Sequence, residues 1–138
     1  GGQTMNRSEA IQFIETQKNG VMTTLLEDGR PHSAPIVYAT SGETIEISAT
    51  WTRVKTKNLE RDPRANLCIL PDNGWFPYIT VEGTCELIED PEGRLNLDLY
   101  RRITGGDPDD MDDYLKAMAR DRRLIIRLSM DRIYPLDK

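Results

Sequence analysis

A cluster of positive charge between Trp51 and Asn66 offers the clearest chemistry in this chain. Five cationic and two acidic side chains give the segment a net charge of +3 in a protein whose formal net charge is -5. The five cations are Arg53, Lys55, Lys57, Arg61 and Arg64. Cationic groups at the start of a helix, near backbone N–H groups and the hydroxyls of a preceding strand, suit a bound phosphate or carboxylate. The alternative is a solvated helix face with compensating charges.

Aromatic side chains flank this basic segment. Trp51 precedes it, and Trp75, Phe76 and Tyr78 follow a polar turn at the start of the next strand-like stretch. Flat aromatic walls beside an anion site suit a planar, phosphorylated cofactor. Aromatic residues at strand starts are also common in cores and interfaces, so the pattern alone leaves both roles open.

The other polar patterns predict structure rather than catalysis. His32, the one histidine, has no nucleophile motif beside it, and we expect a half-exposed structural role on a strand. The acidic run 107–113 lacks the central glycine and terminal glutamate of a calcium loop, so helix capping explains it better. Phosphate-loop and zinc spacings do not occur. We therefore predict no metal site and no catalytic side chain, and we assign any redox chemistry to a bound cofactor.

Alternating strands and short helices must position these residues. Hydrophobic periodicity and capping residues predict helices over 8–18, with Ser8 as the cap, over 53–61 and 91–100, and from Pro108 onward. Period-2 alternation predicts strands over 21–26, 31–40, 44–49, 65–70, 75–88 and 124–131, with the fifth bent at Gly83. Because closure removes exposed sheet edges, we predict an α+β, mainly β domain in which six antiparallel strands form a small barrel with three or four helices.

Composition favours one globular domain. The chain has 138 residues, of which 38% are hydrophobic and 30% charged. A domain of this size can bury a stable hydrophobic core without disulfides or a structural metal ion. Cys68 and Cys85 lie in apolar runs, and we expect both to be reduced thiols. No stretch is long and apolar enough to span a membrane, and no signal segment opens the chain, so we expect a soluble, cytoplasmic protein that does not bind nucleic acid or membranes. We expect residues 1–5 to be a tag or a disordered terminus and residues 6–138 to form the domain.

Several short motifs resemble, in order and spacing, the pyridoxamine 5'-phosphate oxidase-like split-barrel family. The likeness is closest to the actinobacterial branch of that family that uses the deazaflavin coenzyme F420. The motifs cover nearly the whole chain and occur at residues 20–25, 28–32, 36–38, 53–59, 61–65, 81–83, 99–101, 112–114 and 121–123.

The resemblance implies a six-stranded antiparallel split β-barrel that forms a homodimer, with two cofactor sites lined by both protomers. It implies that the basic cluster meets the cofactor's phosphate and acidic tail, that strand residues border its ring, and that Trp75 and Tyr78 come from the partner. The cofactor contacts expected on this basis are Ser33, Ala34, Pro35, Ile36, Ser48, Ala49, Thr50, Arg53, Val54, Lys55, Thr56, Lys57, Asn58, Trp75 and Tyr78.

The resulting hypothesis is an oxidoreductase that transfers a hydride between F420 and a conjugated small-molecule substrate. One alternative keeps the fold but uses FMN, as a flavin reductase or a pyridoxamine-phosphate oxidase-like enzyme. Another is a protein that binds the coenzyme or haem without turnover.

Overall fold

The computed structural model describes residues 5–136 and contains four helices and seven strands over that range. The helices are α1 (Arg7–Thr16), α2 (Val54–Arg61), α3 (Arg94–Thr104) and α4 (Met111–Arg120). The strands are β1 (Asn19–Leu25), β2 (Pro31–Ser41), β3 (Thr44–Thr50), β4 (Arg64–Ile69), β5 (Ile79–Glu89), β6 (Arg123–Ser129) and β7 (Arg132–Tyr134).

Six of these strands close into an antiparallel barrel, as the sequence predicts. Neighbouring strands follow the order β4-β1-β2-β3-β6-β5, and pairing between β4 and β5 completes the ring. β5 makes closure possible because its first half pairs with β4 and its second half with β6. Gly83 lies at this transition, where a Cβ atom would come within 1.8 Å of the Ser129 carbonyl oxygen. This close approach leaves room for glycine and for no larger residue at position 83.

Apolar side chains of the strands fill the barrel, and α1 packs against them. Ala10 and Ile14 of α1 are fully buried, as are strand residues such as Leu67 and Leu128. The Tyr38 hydroxyl donates to the Ile14 carbonyl across 2.7 Å, which joins β2 to α1. Burial raises the pKa of Tyr38 above its ordinary value, so the phenol stays a neutral donor.

The fifth strand starts four residues later than predicted. Residues 75–78 form a loop before Ile79, and the Trp75 side chain in it is 73% exposed. Aromatic residues favour a strand locally, but Pro77 has no N–H to donate to a ladder, and pairing with β4 begins only at Ile79. The short β7, which pairs with β5, is a strand that the sequence pattern did not predict.

Helix boundaries also differ from the prediction. Asn6 rather than Ser8 caps α1: its side chain accepts from the Glu9 N–H at 2.9 Å, and the Glu9 carboxylate accepts from the Asn6 N–H. α3 begins at Arg94 instead of residue 91 and continues to Thr104. The acidic run does cap a helix, since the Asp110 carboxylate accepts from the Asp113 N–H at the start of α4.

Both cysteines are free thiols, as predicted, with Cys85 buried and Cys68 half-buried. Burial raises the pKa of Cys85 to about 12. The segment expected to be a tag or disordered, residues 1–5, lies outside the described residues except for Met5, which pairs with Leu136 in an isolated bridge. None of the four helices in 5–136 combines the length and apolar character that crossing a membrane requires.

Candidate functional site

A cavity of about 740 Å³ lies where β2 and β3 meet the start of α2, the end of α3 and the start of β6. Its lining combines apolar residues, among them Pro35 and Val37 of β2 and Ile103 of α3, with cationic ones. The complete lining is Asn19, Gly20, Ala34, Pro35, Ile36, Val37, Ser48, Ala49, Arg53, Lys55, Ile103 and Arg123.

Three cations line this cavity. Arg53 is the residue before α2, Lys55 lies in its first turn, and Arg123 opens β6. Among residues 5–136, no carboxylate lies within ion-pair distance of any of the three. In the described part of the chain no side chain caps α2, so the positive end of the helix adds to the field of the three cations.

The electrostatics of Lys55 reflect this crowding. Burial lowers the pKa of Lys55 below its ordinary value, and repulsion from Arg53 and Arg123 lowers it further. The Nε atom of Arg123 is buried without a hydrogen-bond partner among the described residues. Buried donors in proteins are usually paired, so an unpaired guanidinium nitrogen indicates a missing acceptor. The arrangement fits a bound phosphate or carboxylate.

Ser48 connects the cavity to a buried polar network beneath α3. Its hydroxyl donates to the Asn96 side-chain oxygen, and Asn96 Nδ2 donates to Asp90 at 2.7 Å. Asn96 and Asp90 are only 2% and 5% exposed. Arg123 Nη1 donates to the Ser48 hydroxyl at 3.5 Å, so the network ends on one of the three cations.

Seven of the fifteen residues predicted to contact a cofactor line this cavity. They are Ala34, Pro35, Ile36, Ser48, Ala49, Arg53 and Lys55. They come from β2, from β3 and from the start of α2, which adjoin in space although they are separated along the chain. The structure thus brings about half of the predicted residues together around one cavity.

The side chains of Thr56, Asn58 and Thr50 point to other partners. Thr56 and Asn58 are buried, with the Thr56 hydroxyl donating to the Thr50 carbonyl at 2.8 Å. Asn58 Nδ2 donates to the Thr24 hydroxyl at 3.0 Å. The Thr50 hydroxyl pairs with that of Thr52. These hydrogen bonds hold α2 against the barrel and keep Arg53 and Lys55 at the cavity.

The remaining predicted contacts lie outside the cavity lining of their own chain. Ser33 pairs with the Thr23 hydroxyl, Val54 is exposed, and Lys57 lies 3.9 Å from the Glu60 carboxylate. Trp75 and Tyr78 are on the exposed 75–78 loop. That Trp75 and Tyr78 contact the cofactor of a partner protomer stays a prediction. His32 is half-buried on β2 and does not line the cavity.

Five lining residues lie outside the predicted set: Asn19, Gly20, Val37, Ile103 and Arg123. Arg123 follows Arg120 and Arg122 in the sequence, and such a run of arginines is also typical of a helix C-terminus, so its charge alone did not indicate the anion site. Alternation from Leu124 onward could have placed Arg123 on the strand. Ile103 was missed because the predicted helix ended at residue 100, whereas α3 extends to Thr104.

Comparison with known proteins identifies the family. Residues 7–137 match the family described as pyridoxamine 5'-phosphate oxidase. The conserved hypothetical protein Rv2991 from Mycobacterium tuberculosis superposes with a TM-score of 0.77 at 25% identity, covering 94% of this chain and 83% of that one. An F420 reductase superposes with a TM-score of 0.72 at 24% identity over 89% of this chain and 94% of its own. A FAD-binding protein from Mesorhizobium loti has a TM-score of 0.68 at 16% identity over 95% and 94%. The family match spans nearly the whole barrel, and this chain therefore belongs to the pyridoxamine 5'-phosphate oxidase family.

Proposed function

We propose that this protein is an oxidoreductase that binds coenzyme F420 in the 740 Å³ cavity and transfers a hydride between its ring and a conjugated small molecule. The observation that carries the proposal is the convergence of Arg53, Lys55 and Arg123, without counter-ions among residues 5–136, in one largely apolar cavity. The F420 reductase fold neighbour and the motifs shared with F420-dependent relatives support the choice of coenzyme.

The cationic and the apolar lining residues suit the two parts of such a coenzyme. Arg53, Lys55 and Arg123 would bind the phosphate through charge-assisted hydrogen bonds, which are stronger than neutral ones. Pro35 and Val37 of β2 and Ile103 of α3 would pack against the planar ring. The unpaired Nε of Arg123 fits an anionic ligand nearby.

The protein's contribution to the reaction would be orientation. When bound, the deazaflavin supplies the hydride donor or acceptor, and no residue of the cavity lining has the geometry of an activated nucleophile. The apolar wall would hold ring and substrate at about 3 to 3.5 Å and exclude water from between them. The substrate would be a flat, conjugated and electron-poor molecule that stacks on the ring.

A homodimer would complete the site. Val21 and Val37 are 38% and 46% exposed, and the register places Val21 opposite the exposed Pro35, so β1 and β2 present an apolar face to solvent. A second copy on this face would cover the cavity. Trp75 and Tyr78 of each protomer would then reach the partner's site from the exposed 75–78 loop.

FMN is the second candidate coenzyme, because its phosphate could use the same three cations. The FAD-binding fold neighbour supports a flavin as the alternative. A parallel titration of the purified protein with FMN and F420 decides between them. We expect F420 to bind and reduced F420 to transfer its hydride to a quinone, a nitro compound or a tetrapyrrole.

Variants connect the titration to the cavity. Lys55→Gln and Arg123→Gln should each weaken coenzyme binding by about 1 to 3 kcal/mol, the range for hydrogen bonds to charged groups. Lys116→Gln removes one positive charge from the exposed surface of α4 and should leave the dissociation constant unchanged. Tight FMN binding without F420 binding would favour the flavin enzyme, and binding without turnover would favour a carrier. Equal affinities in all variants would exclude this cavity as the site.

A further inference from the structure

The side-chain amide of Asn96 has its orientation fixed from one side by Asp90. The Asp90 carboxylate accepts from the Leu95 N–H at 3.1 Å, from the Asn96 N–H at 2.8 Å and from Asn96 Nδ2 at 2.7 Å. Because a carboxylate accepts hydrogen bonds and the amide nitrogen donates them, the Nδ2 end of Asn96 must face Asp90. Asn96 Oδ1 is therefore left facing Ser48.

This orientation determines what the Ser48 hydroxyl can do. A serine hydroxyl has one proton and two lone pairs, and here the proton must point to Asn96 Oδ1, which can only accept. The lone pairs of Ser48 Oγ are then free for donors on the cavity side. Arg123 supplies one, with Nη1 at 3.5 Å from Oγ.

Strand register explains why these two residues meet. Thr50 of β3 is the direct partner of Arg123 on β6, and Ser48 lies two residues further along β3 on the same face. Diagonal neighbours of this kind are within reach of long side chains. Among residues 5–136, Ser48 Oγ is the one hydrogen-bond acceptor that the Arg123 guanidinium contacts.

We propose that Asn96 is a positioning residue for the anion site: by fixing the Ser48 hydroxyl as an acceptor, it holds Arg123 at the cavity edge for ligand binding. The inference rests on the proposed function to the extent that the cavity binds an anionic coenzyme. It adds that a buried side chain outside the cavity sets the affinity.

Attachment of α3 to the barrel does not by itself require this amide. Arg102 in the last turn of α3 contacts Glu46 of β3, and its Nη1 donates to the Thr40 carbonyl of β2 at 3.0 Å. An apolar side chain of similar volume at position 96 would avoid the cost of burying polar groups. A buried amide connecting Asp90 to Ser48 is explained by the orientation that it imposes.

We test the inference with three variants, Asn96→Leu, Ser48→Ala and Ser48→Thr. Tyr114→Phe is the matched control. Tyr114→Phe removes a hydrogen bond to the backbone of Asn96 and leaves its side chain unchanged. The first measurement is the solvent exchange rate of the Arg123 Nε–H by nitrogen-edited NMR, without ligand. The second is the dissociation constant for FMN and for F420, in the wild-type and Arg123→Gln backgrounds.

We expect faster Nε–H exchange in Asn96→Leu and Ser48→Ala, with coenzyme affinity lower by roughly five- to tenfold, as for the loss of one hydrogen bond of ordinary strength. Ser48→Thr keeps the hydroxyl and should retain affinity, and Tyr114→Phe should change neither quantity. In the Arg123→Gln background the same substitutions should shift the dissociation constant by less than about twofold, because coupled residues are not additive.

If Asn96→Leu and Ser48→Ala lower only the melting temperature, with Nε–H exchange and coenzyme affinity as in the wild type, the inference is overturned and Asn96 is a packing residue. Faster exchange in a protein that binds neither coenzyme would support the positioning role and refute the proposed function. If Asn96→Leu does not fold, Asn96→Ala gives the same test, because it also removes the side-chain oxygen that accepts the Ser48 proton.

Discussion

The Arg102 guanidinium donates to the Glu46 carboxylate across 2.6 Å and thereby joins the last turn of α3 to β3. The second oxygen of Glu46 accepts from Nε and Nη2 of Arg127, at 3.0 and 2.8 Å. Burial by itself would raise the pKa of Glu46, but the hydrogen bonds and charges of Arg127 and Arg102 outweigh it and lower the pKa. The ion cluster holds in place the helix that carries Asn96 and Ile103.

Glu46→Gln should lower the free energy of unfolding at pH 7 by about 1 to 3 kcal/mol, because it leaves two guanidinium groups without their shared carboxylate. The partial exposure of both arginines keeps the value below that of a fully buried pair. Because its pKa is lowered in the folded state, the Glu46 carboxyl stabilises the protein at pH values above its ordinary pKa of 4.5, and this contribution is lost as the pH falls from 4.5 toward the lowered pKa. Urea denaturation at several pH values should therefore show that the difference in unfolding free energy between wild type and Glu46→Gln shrinks below about pH 4.5.

Glu43→Gln is the control for this experiment. Glu43 also pairs with an arginine, Arg7, but its side chain is 64% exposed, so the effect should stay within about 0.5 kcal/mol. A Glu46 variant as stable as wild type at pH 7 would show that the cluster does not hold α3.

Gly83→Ala should destabilise the barrel by about 1 to 3 kcal/mol or prevent folding, because the new methyl group would meet the backbone of β6 at 1.8 Å. Backbone cannot move aside as the end of a flexible side chain can. Gly106→Ala is the matched substitution, since nothing lies within 4 Å of the position that its new methyl group would occupy. Thermal melts that shift equally for both would contradict the close approach of β5 and β6.

Local sequence rules predict most of the barrel because the strand pattern and turn residues agree with the final fold. Asp28-Gly29 and Ser41-Gly42 separate strands that do pair with each other, with Gly29 and Gly42 at positive φ as tight turns require. Where local preference and tertiary pairing disagree, the prediction was wrong. The 75–78 segment is the clearest case, since its aromatic residues favour a strand but pair with no other strand of residues 5–136.

Side-chain direction in the site could be predicted only in part. The basic cluster identified Arg53 and Lys55, but charge alone does not distinguish them from Lys57, which lies one half-turn further along α2 and outside the cavity lining. Thr56 and Asn58 are polar residues beside cations, and only the packing of α2 on the barrel shows that they are buried. Arg123 lies about seventy residues from the cluster and meets it through β3–β6 pairing.

Val21→Asp should convert the expected dimer to a monomer. Val21 is outward-facing on β1, opposite Pro35, and does not line the cavity, so a charge there would disrupt an interface without touching the anion site. Sedimentation velocity measures the change. Leu95→Asp places the same charge at a residue of α3 with similar exposure, 44%, and should remain dimeric. A wild-type protein that sediments as a monomer would refute the dimer and the partner role of Trp75 and Tyr78.

Lys55→Gln should make the ligand-free protein more stable while weakening its coenzyme binding. Burial and the neighbouring Arg53 and Arg123 lower the pKa of Lys55 below 10.5, so the unfolded chain holds this proton more tightly than the folded one. At pH 7 the charge therefore opposes folding, and this cost disappears as the pH rises through the lowered pKa toward 10.5. Removing the charge should raise the melting temperature of the free protein.

An anion bound at the three cations should raise the pKa of Lys55 again, because it favours the charged form. The charge of Lys55 then stabilises the complex instead of opposing folding. Coenzyme affinity should therefore fall as the pH rises through the lowered pKa of Lys55, on the alkaline side. Lys55→Arg, whose guanidinium stays charged, should bind with a flatter alkaline profile. Melting curves with and without FMN or F420, together with titrations from pH 7 to 10, measure both effects. A Lys55→Gln protein that is less stable without ligand and binds coenzyme as tightly as wild type would mean that Lys55 serves packing rather than an anion.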